Sequence, residues 1–375
     1  ASSEELDKLN EKKKNISPFD TAAIFFTSGT TNIPKGVMLS HYSLYNNSLE
    51  ITKRMKWSHE DRMCIAVPLF HCFGITASLL AAIHAGCSMY LLNKCKSLEV
   101  LKSVHKEKCT ILNGVPTMFL AMLHKEEKDK YTMPDLKSGI IAGSPISTKD
   151  YLKLCKTFDI PYLQPSYGQT ETSPCITISS YDDPLDIKSK SVGKAIDHVL
   201  VRIYDNKSKK VLPHGSIGEI QTKGYHVMQG YYKLPEETKN TINEDGWLST
   251  GDIGYMDEEG YLYITGRMSD MIIRGGENIS PLEIEECILD YSDIKSVKVM
   301  GIKADVLQEE IVACIIPEVD KEIDVNKMKE FLRDRLASYK IPKYILFFEE
   351  FPYTASGKIN LKKLRKQITD RLIQG

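Results

Sequence analysis

Between residues 88 and 157 the chain alternates short apolar runs with amphipathic stretches, and few folds accommodate that order. Residues 88–92, 110–113 and 138–142 are apolar and bounded by polar turns, as strands are. Residues 98–108 and 117–128 carry apolar side chains at helical spacing. Strand and helix in repeated succession predict a mostly parallel sheet covered by helices. In such sheets ligands gather at the carboxyl ends of strands. The run 138–142 ends there in Gly143-Ser144-Pro145, which taken alone is an ordinary turn sequence.

Upstream, the apolar run 22–26 reads as a short buried strand leading into Thr27-Ser28-Gly29-Thr30-Thr31-Asn32-Ile33-Pro34-Lys35-Gly36. Small residues and two glycines let several backbone amides converge on one anion. Hydroxyls and Lys35 add donors and a positive charge, which suits polyphosphate; a polar surface turn is the plain alternative. A Walker A loop is excluded, because Lys35 stands between Pro34 and Gly36 rather than between a glycine and a hydroxyl. Tyr167-Gly168-Gln169-Thr170-Glu171 then sets a ring, a hydroxyl and a carboxylate close together. Tyr167 can stack on a purine, Thr170 can bond a phosphoryl oxygen, and Glu171 can hold Mg²⁺ against phosphates. A helix-start charge is the plain reading of Glu171. Asp252, after Gly251, can accept both hydroxyls of a ribose. His71 lies among aromatics, as packed histidines do, and Lys358 sits in a small-residue loop where a solvated lysine is the ordinary case.

The chain has 375 residues, enough for two or three domains. Its 49 basic and 50 acidic side chains nearly cancel, which favours neither nucleic acid nor an anionic membrane as partner. Nine scattered cysteines without a Cys-x-x-Cys pair point to free thiols in a reducing compartment, hence a cytoplasmic expectation. The longest apolar stretch, 75–85, is too short to span a bilayer and reads as a buried helix. No charged-then-apolar leader opens the chain. Residues 1–20 are charged and read as a tether or partial helix. Residues 39–55 look helical with Ser40 as N-cap.

The loop 27–36, the Tyr-Gly-x-Thr-Glu run at 167–171, Gly251-Asp252, Gly266-Arg267 and Ser356-Gly357-Lys358-Ile359 occur in one order. In that order they resemble the adenylate-forming superfamily of acyl-CoA synthetases, luciferases and adenylation domains. The resemblance implies an α/β large domain over residues 1–268, within which the glycine-, valine- and isoleucine-rich stretch 191–231 reads as a small β-barrel-like subdomain. It implies an α+β lid over residues 269–375, joined by a hinge at Met268-Ser269-Asp270. Ser269 departs from the Lys or Asp usual at that position. Family members carry a further N-terminal region, so the chain reads as lacking it.

For the site, the resemblance implies that Thr27, Ser28, Gly29, Thr30, Thr31 and Lys35 hold phosphates. Gly143, Ser144, Pro145, Tyr167 and Gly168 hold the adenine, Thr170 bonds a phosphoryl oxygen, and Asp252 and Arg267 hold the ribose side. Glu171 holds Mg²⁺, His71 lines the carboxylate pocket, and Lys358 enters for adenylation. Gly275 and Gly276 come in later to form a thiol tunnel. The implied function is ATP-dependent activation of a carboxylic acid, such as a fatty acid, with transfer to CoA. Gly275 to Glu285 is most similar to the fatty-acid and aryl-acid CoA ligases. Two readings stay open: a unit that loads a carrier-protein thiol, and a non-catalytic nucleotide-binding fragment. The acid and any homo-oligomeric state are not legible.

Overall fold

The computed structural model describes residues 2–27, 34–93, 96–304, 306–354 and 357–374. Its central sheet has seven strands. Ser88–Leu91, Arg62–Ile65, Ile111–Asn113, Ser138–Ala142 and Tyr162–Gly168 lie parallel in that spatial order, and Cys175–Ile178 and Lys194–Ala195 continue it antiparallel. Adjacent strand residues point to opposite faces, and here both faces are buried. Cys64, Leu112 and Ile141 face the helices Ser97–Lys106, Pro116–Leu123 and Thr148–Phe158 through Leu101, Phe119 and Tyr151. Met63, Ile65, Ile111 and Ile140 face the helix His41–Arg54 and the helical run 75–85 through Ile51, Met55, Ala77 and Ala81. The run 75–85 opens with a π-helical turn, and Ile83 on its outer face is exposed.

The strand expected to be buried before the phosphate loop is a correction. Thr21–Thr27 pairs antiparallel with Lys35–Ser40, which pairs with Gly230–Tyr231. One face of this small sheet packs through Val37, Leu39 and Tyr231 against Leu44 and Leu248. Ile24 and Phe26 alternate onto the other face, and Phe26 is 72% exposed. Because Lys35–Ser40 is a strand, the following helix starts at His41; Ser40 accepts the Ser43 N–H as expected. The charged opening forms an exposed helix, Ser3–Lys14, with a capping box between Ser2 and Glu5.

The expected barrel-like subdomain is a five-stranded antiparallel sheet, ordered Lys210–Val211, Val199–Asp205, Gly218–Gly224, Leu248–Met256, Leu262–Arg267. Its last strand folds back on the central sheet, where Leu262 exchanges backbone hydrogen bonds with Val192 and Gly193.

Residues 272–372 build cores of their own. The strands Ile272–Arg274, Glu277–Ile279, Ile294–Ala304, Gln308–Pro317 and Tyr344–Phe347 form one sheet. Ile284 and Ile288 of the helix Pro281–Leu289 and Met328 and Leu332 of Val325–Arg333 cover one face; Leu364 and Ile368 of the last helix cover the other. The capping box expected between Ser280 and Glu283 is not formed. Ser280 Oγ donates instead to the Thr265 carbonyl, and the Glu283 carboxylate pairs with the Lys340 ammonium. A full cation outbids a backbone N–H for the carboxylate, and the serine ties this helix to the last strand of the large domain.

Candidate active site

The strand Tyr162–Gly168 ends at the carboxyl edge of the central sheet, where the chain must turn sharply. Gly168 allows it: a Cβ there would lie 1.8 Å from the Pro174 carbonyl oxygen. The turn Thr170–Thr172 follows, fixed by Thr172 Oγ1, which donates to the Gln169 and Pro174 carbonyls and accepts the Gln169 N–H. Asn47, from the helix beneath, bonds both N–H and C=O of Cys175 as a neighbouring strand would. The turn therefore presents Glu171 from a rigid base. The Met228 N–H donates to the Glu171 carbonyl, and Tyr231 Oη donates to Glu171 Oε1 at 2.9 Å.

Tyr231 does a second thing. Lys35 Nζ sits 4.8 Å from the centre of its ring, a cation–π contact. One tyrosine thus links the lysine of the phosphate-loop hairpin to the carboxylate of the turn. Thr27 is paired with Lys35 at the mouth of that hairpin. Ser28, Gly29, Thr30 and Thr31 lie outside the described residues.

A third group comes from the antiparallel sheet. Asp252 faces Arg267 across paired strands, with Arg267 Nε 3.4 Å from Asp252 Oδ1, and Tyr167 Oη donates to Asp252 Oδ2 at 2.8 Å. Burial raises the Asp252 carboxyl above its ordinary value, opposed by the Arg267 charge and the Tyr167 hydrogen bond. Burial, reinforced by the Asp252 charge, keeps the Tyr167 phenol protonated, so it stays a donor.

On the other side stands the segment 71–74. The Phe73 N–H donates to His71 Nδ1 at 3.3 Å, which leaves the ring proton on Nε2. Burial, and then the charge of Lys358, lowers the His71 pKa, so the ring is neutral at pH 7. Cys72 Sγ lies 3.6 Å from Thr170 Oγ1, so the two side chains meet each other at the base of the site. Burial pushes that thiol up to about 11.

Lys358 completes the cluster from the C-terminal domain. Its side chain passes Gly143, whose φ of +95° leaves the approach clear; a Cβ built there would lie 3.8 Å from Lys358 Cε. The lysine feels the charges of Arg267, Asp252 and Glu171, and burial is the main reason its pKa lies below the ordinary 10.5. The structure therefore brings Lys358, Glu171, Thr170, His71, Tyr167, Asp252, Arg267 and Gly143 to one place. Ser144 and Pro145 follow Gly143 at the same strand end. Gly275 and Gly276 do not join them. They are the positive-φ pair of a tight hairpin, with the Gly275 N–H on the Leu307 carbonyl and open space beside Gly276.

Sequence reasoning took Tyr231 only as part of a structural landmark of the resemblance, and passed over Cys72 and Thr117, whose hydroxyl reaches the Gly357 carbonyl. Cys72 stands beside His71 in the sequence, a weak signal. The other two owe their place to contacts between segments far apart in the chain.

A lysine from the C-terminal domain that reaches the carboxylate turn, with Lys35 joined to the same turn through Tyr231, is the arrangement of the adenylate-forming class. The chain belongs to the AMP-binding enzyme family: that family's model matches residues 1–232, and the model of the AMP-binding enzyme C-terminal domain matches 283–358. Among its relatives, the putative acyl-CoA synthetase YngI of Bacillus subtilis is 41% identical over 96% of this chain and 66% of its own length. The mitochondrial medium-chain acyl-CoA ligase of Mus musculus is 36% identical over 98% of this chain and 60% of its own. The chain thus spans about three-fifths to two-thirds of the length of these curated relatives. Among solved structures, ATP-bound MatB from Rhodopseudomonas palustris superposes with a TM-score of 0.88 at 32% identity, covering 95% of this chain and 69% of that one. The o-succinylbenzoate CoA synthetase of Bacillus subtilis, bound to its acyl-adenylate, gives 0.80 at 29% identity, covering 94% and 70%.

Proposed function

We propose that this chain carries the adenylating machinery of an acid–CoA ligase acting on a fatty acid. Residues 1–268 would be its large domain and 269–375 its mobile lid. The observation that carries the reading is Lys358, delivered by the C-terminal domain with its ammonium end desolvated among the charges of Glu171, Asp252 and Arg267, although the residue as a whole is exposed. A carboxylate is a poor acyl donor because its leaving group would be oxide. In the proposed reaction a carboxylate oxygen attacks the α-phosphorus of ATP, and the bond to the β-phosphate oxygen breaks. Pyrophosphate leaves with the electron pair. The CoA thiolate then attacks the acyl carbon, and AMP departs.

The first step brings two anions together, so positive charge and fixed donors are what it needs. Lys358 would bridge the α-phosphate and the acid's carboxylate, and the 27–36 hairpin with Lys35 would hold the β- and γ-phosphates. Thr170 would bond a phosphoryl oxygen. Asp252, oriented by Tyr167 and Arg267, would take the ribose hydroxyls, with the Tyr167 ring, Gly168 and the 143–145 loop against adenine. His71 Nε2–H would face the acyl carboxylate.

The donor set also fits Mg²⁺. Among the described residues no cluster of three or more His, Cys, Asp or Glu could cage a metal, and Glu171 offers one oriented carboxylate. Mg²⁺ is commonly held by one or two carboxylates with substrate phosphates and water completing the shell. When bound, it would neutralise charge on the departing phosphates. Tyr231 would keep Glu171 aimed at that ion. YngI and the murine ligase, named as acyl-CoA enzymes at 36–41% identity, support the CoA acceptor.

The test is ATP–pyrophosphate exchange with short, medium, long-chain and aryl acids. Exchange that depends on one acid class, followed by AMP and thioester release on adding CoA, is the expected result. Silence across the panel, both in this chain and in a chain extended to the relatives' full length, would overturn the reading.

A further inference from the structure

We infer that Thr117 is a positioning residue that latches the lysine loop onto the large domain, and so selects the adenylating arrangement; this rests on the proposed two-step reaction. Thr117 belongs to the helix Pro116–Leu123, at the carboxyl end of the strand Ile111–Asn113. Its Oγ1 donates to the carbonyl of Gly357, the residue just before Lys358, at 2.8 Å. The fit around that bond is close. A Cβ at Gly357 would lie 3.1 Å from Thr117 Oγ1 and 3.4 Å from Val115 Cγ2, and Gly357 has φ +81°. Val115 also lies 3.3 Å from where a Cβ on Gly143 would stand, beside the Lys358 side chain. Val115 and Thr117 therefore form a notch that admits a glycine and little else.

The loop that enters this notch is braced from within. The Thr354 N–H donates to the Lys358 carbonyl, the Gly357 N–H donates to the Thr354 carbonyl, and Thr354 Oγ1 accepts the Lys358 N–H. Tyr353 and Ile359 form a β-bridge at its base. A braced loop moves as a unit, so a bond to Gly357 fixes where Lys358 goes. Desolvation of its ammonium end opposes the charge on Lys358, so docking works against that cost. The Thr117 bond and the notch are neutral contacts that offset it. A lid that swings away would break this bond with its carbonyl still solvated, so the latch favours the first half-reaction without hindering the second.

The test compares Thr117→Val, which keeps the shape and deletes the donor, with Thr117→Ser, which keeps the donor. The first readout needs no turnover: acylation of Lys358, whose ammonium end faces the site, by a bulky succinimidyl ester for which access rather than basicity limits the reaction, read by mass spectrometry against Lys363 outside the site. Thr117→Val should raise Lys358 labelling about three- to tenfold, as loss of one neutral hydrogen bond allows, and Thr117→Ser should restore protection. The second readout splits the reaction. Pyrophosphate exchange should fall by a similar factor in Thr117→Val, while thioester formation from supplied acyl-adenylate stays within about twofold. Unchanged labelling, or equal loss in both half-reactions, overturns the latch. If labelling changes as expected while the parent chain shows no exchange with any acid, the latch stands and the enzymatic reading fails. Unchanged labelling in a parent that exchanges well removes the latch alone.

Discussion

Lys358 must be charged to act, yet its ammonium end is desolvated where it enters the site, and the two demands oppose each other. Desolvation and the nearby Arg267 cation lower its pKa below the ordinary 10.5, while Cys72, Asp252 and Glu171 pull it back up. The acidic limb leaves the ammonium intact, so the sensitivity lies on the alkaline side. As pH rises through the lowered value, the free protein loses the charge sooner than an exposed lysine would. kcat/KM for ATP reports groups of the free protein, and kcat those of the loaded one. We expect kcat/KM for pyrophosphate exchange to fall on an alkaline limb below pH 10.5, with the limb in kcat lying higher, because substrate phosphates favour the ammonium. In Lys358→Arg the limb should vanish, whatever the residual rate, since guanidinium does not titrate in range. A limb that survives this substitution at the same pH would belong to another group. Only part of this residue-level picture was legible in the sequence. The lysine stood out because its loop resembles a family motif, but the desolvation of its ammonium end could not be read from a polar, small-residue segment.

At the scale of elements, Tyr225 to Tyr231 decides how the carboxylate turn is held. This segment supplies the backbone bond to the Glu171 carbonyl, the Tyr231 bond to its side chain, and the His226 carbonyl that accepts Ser173 Oγ at 2.8 Å. His226 is fully buried with Nε2 2.9 Å from Thr222 Oγ1, and Nδ1 has no partner. Burial depresses its pKa from 6.5 to about 3. The unfolded chain therefore binds one more proton than the native state between those values. Stability present above pH 6.5 is lost as pH falls, by about 1.4 kcal/mol per unit. Urea unfolding should show a wild-type loss between pH 7.5 and 5.0 about 2 kcal/mol larger than that of His226→Gln. Equal losses would mean the ring is hydrated or paired. Sequence periodicity located the strands and helices of the central sheet because both of its faces are apolar, and strands such as Met63-Cys64-Ile65 serve two cores at once. It misplaced the burial of Ala22 to Phe26, since a half-exposed strand with Ile24 and Phe26 outward has the same composition as a buried one. It also promised a capping box at Ser280, because the local pattern carries no word of Lys340, which stands far along the chain.

Across the whole molecule, two sets of cores meet at one lysine. The cores of the central and antiparallel sheets are built from residues before 268, and those of the C-terminal sheet from residues after 271. Between them, Met268–Asp270 is a single exposed turn whose Ser269 hydroxyl bonds only its neighbour's carboxylate, Asp270 Oδ1, among the hydrogen bonds described. For the C-terminal domain to turn about it, the Ser280 bond to the Thr265 carbonyl, the Thr117 bond to the Gly357 carbonyl and the Asn206 contact with Met268 Sδ are among the contacts that would break, and short turns of this kind serve as hinges. In the present arrangement Lys358 is in the site and the Gly275-Gly276 hairpin is outside it, facing solvent at Gly276. If the second half-reaction uses the other arrangement, the lysine should matter to one step and be irrelevant to the next. Lys358→Ala should therefore reduce acid-dependent pyrophosphate exchange at least about a hundredfold, the scale set by removing one preorganised charge donor. Thioester formation from chemically prepared acyl-adenylate and CoA should remain within about twofold of the parent. Gly276→Val tests the opposite side: the bulk would obstruct a narrow thiol path while leaving exchange intact. Its φ of +88° disfavours a β-branched side chain, so the folded fraction must be checked by thermal melting. Parallel losses in both steps for Lys358→Ala would place the lysine in a single, static site, and the hinge would then be only a linker.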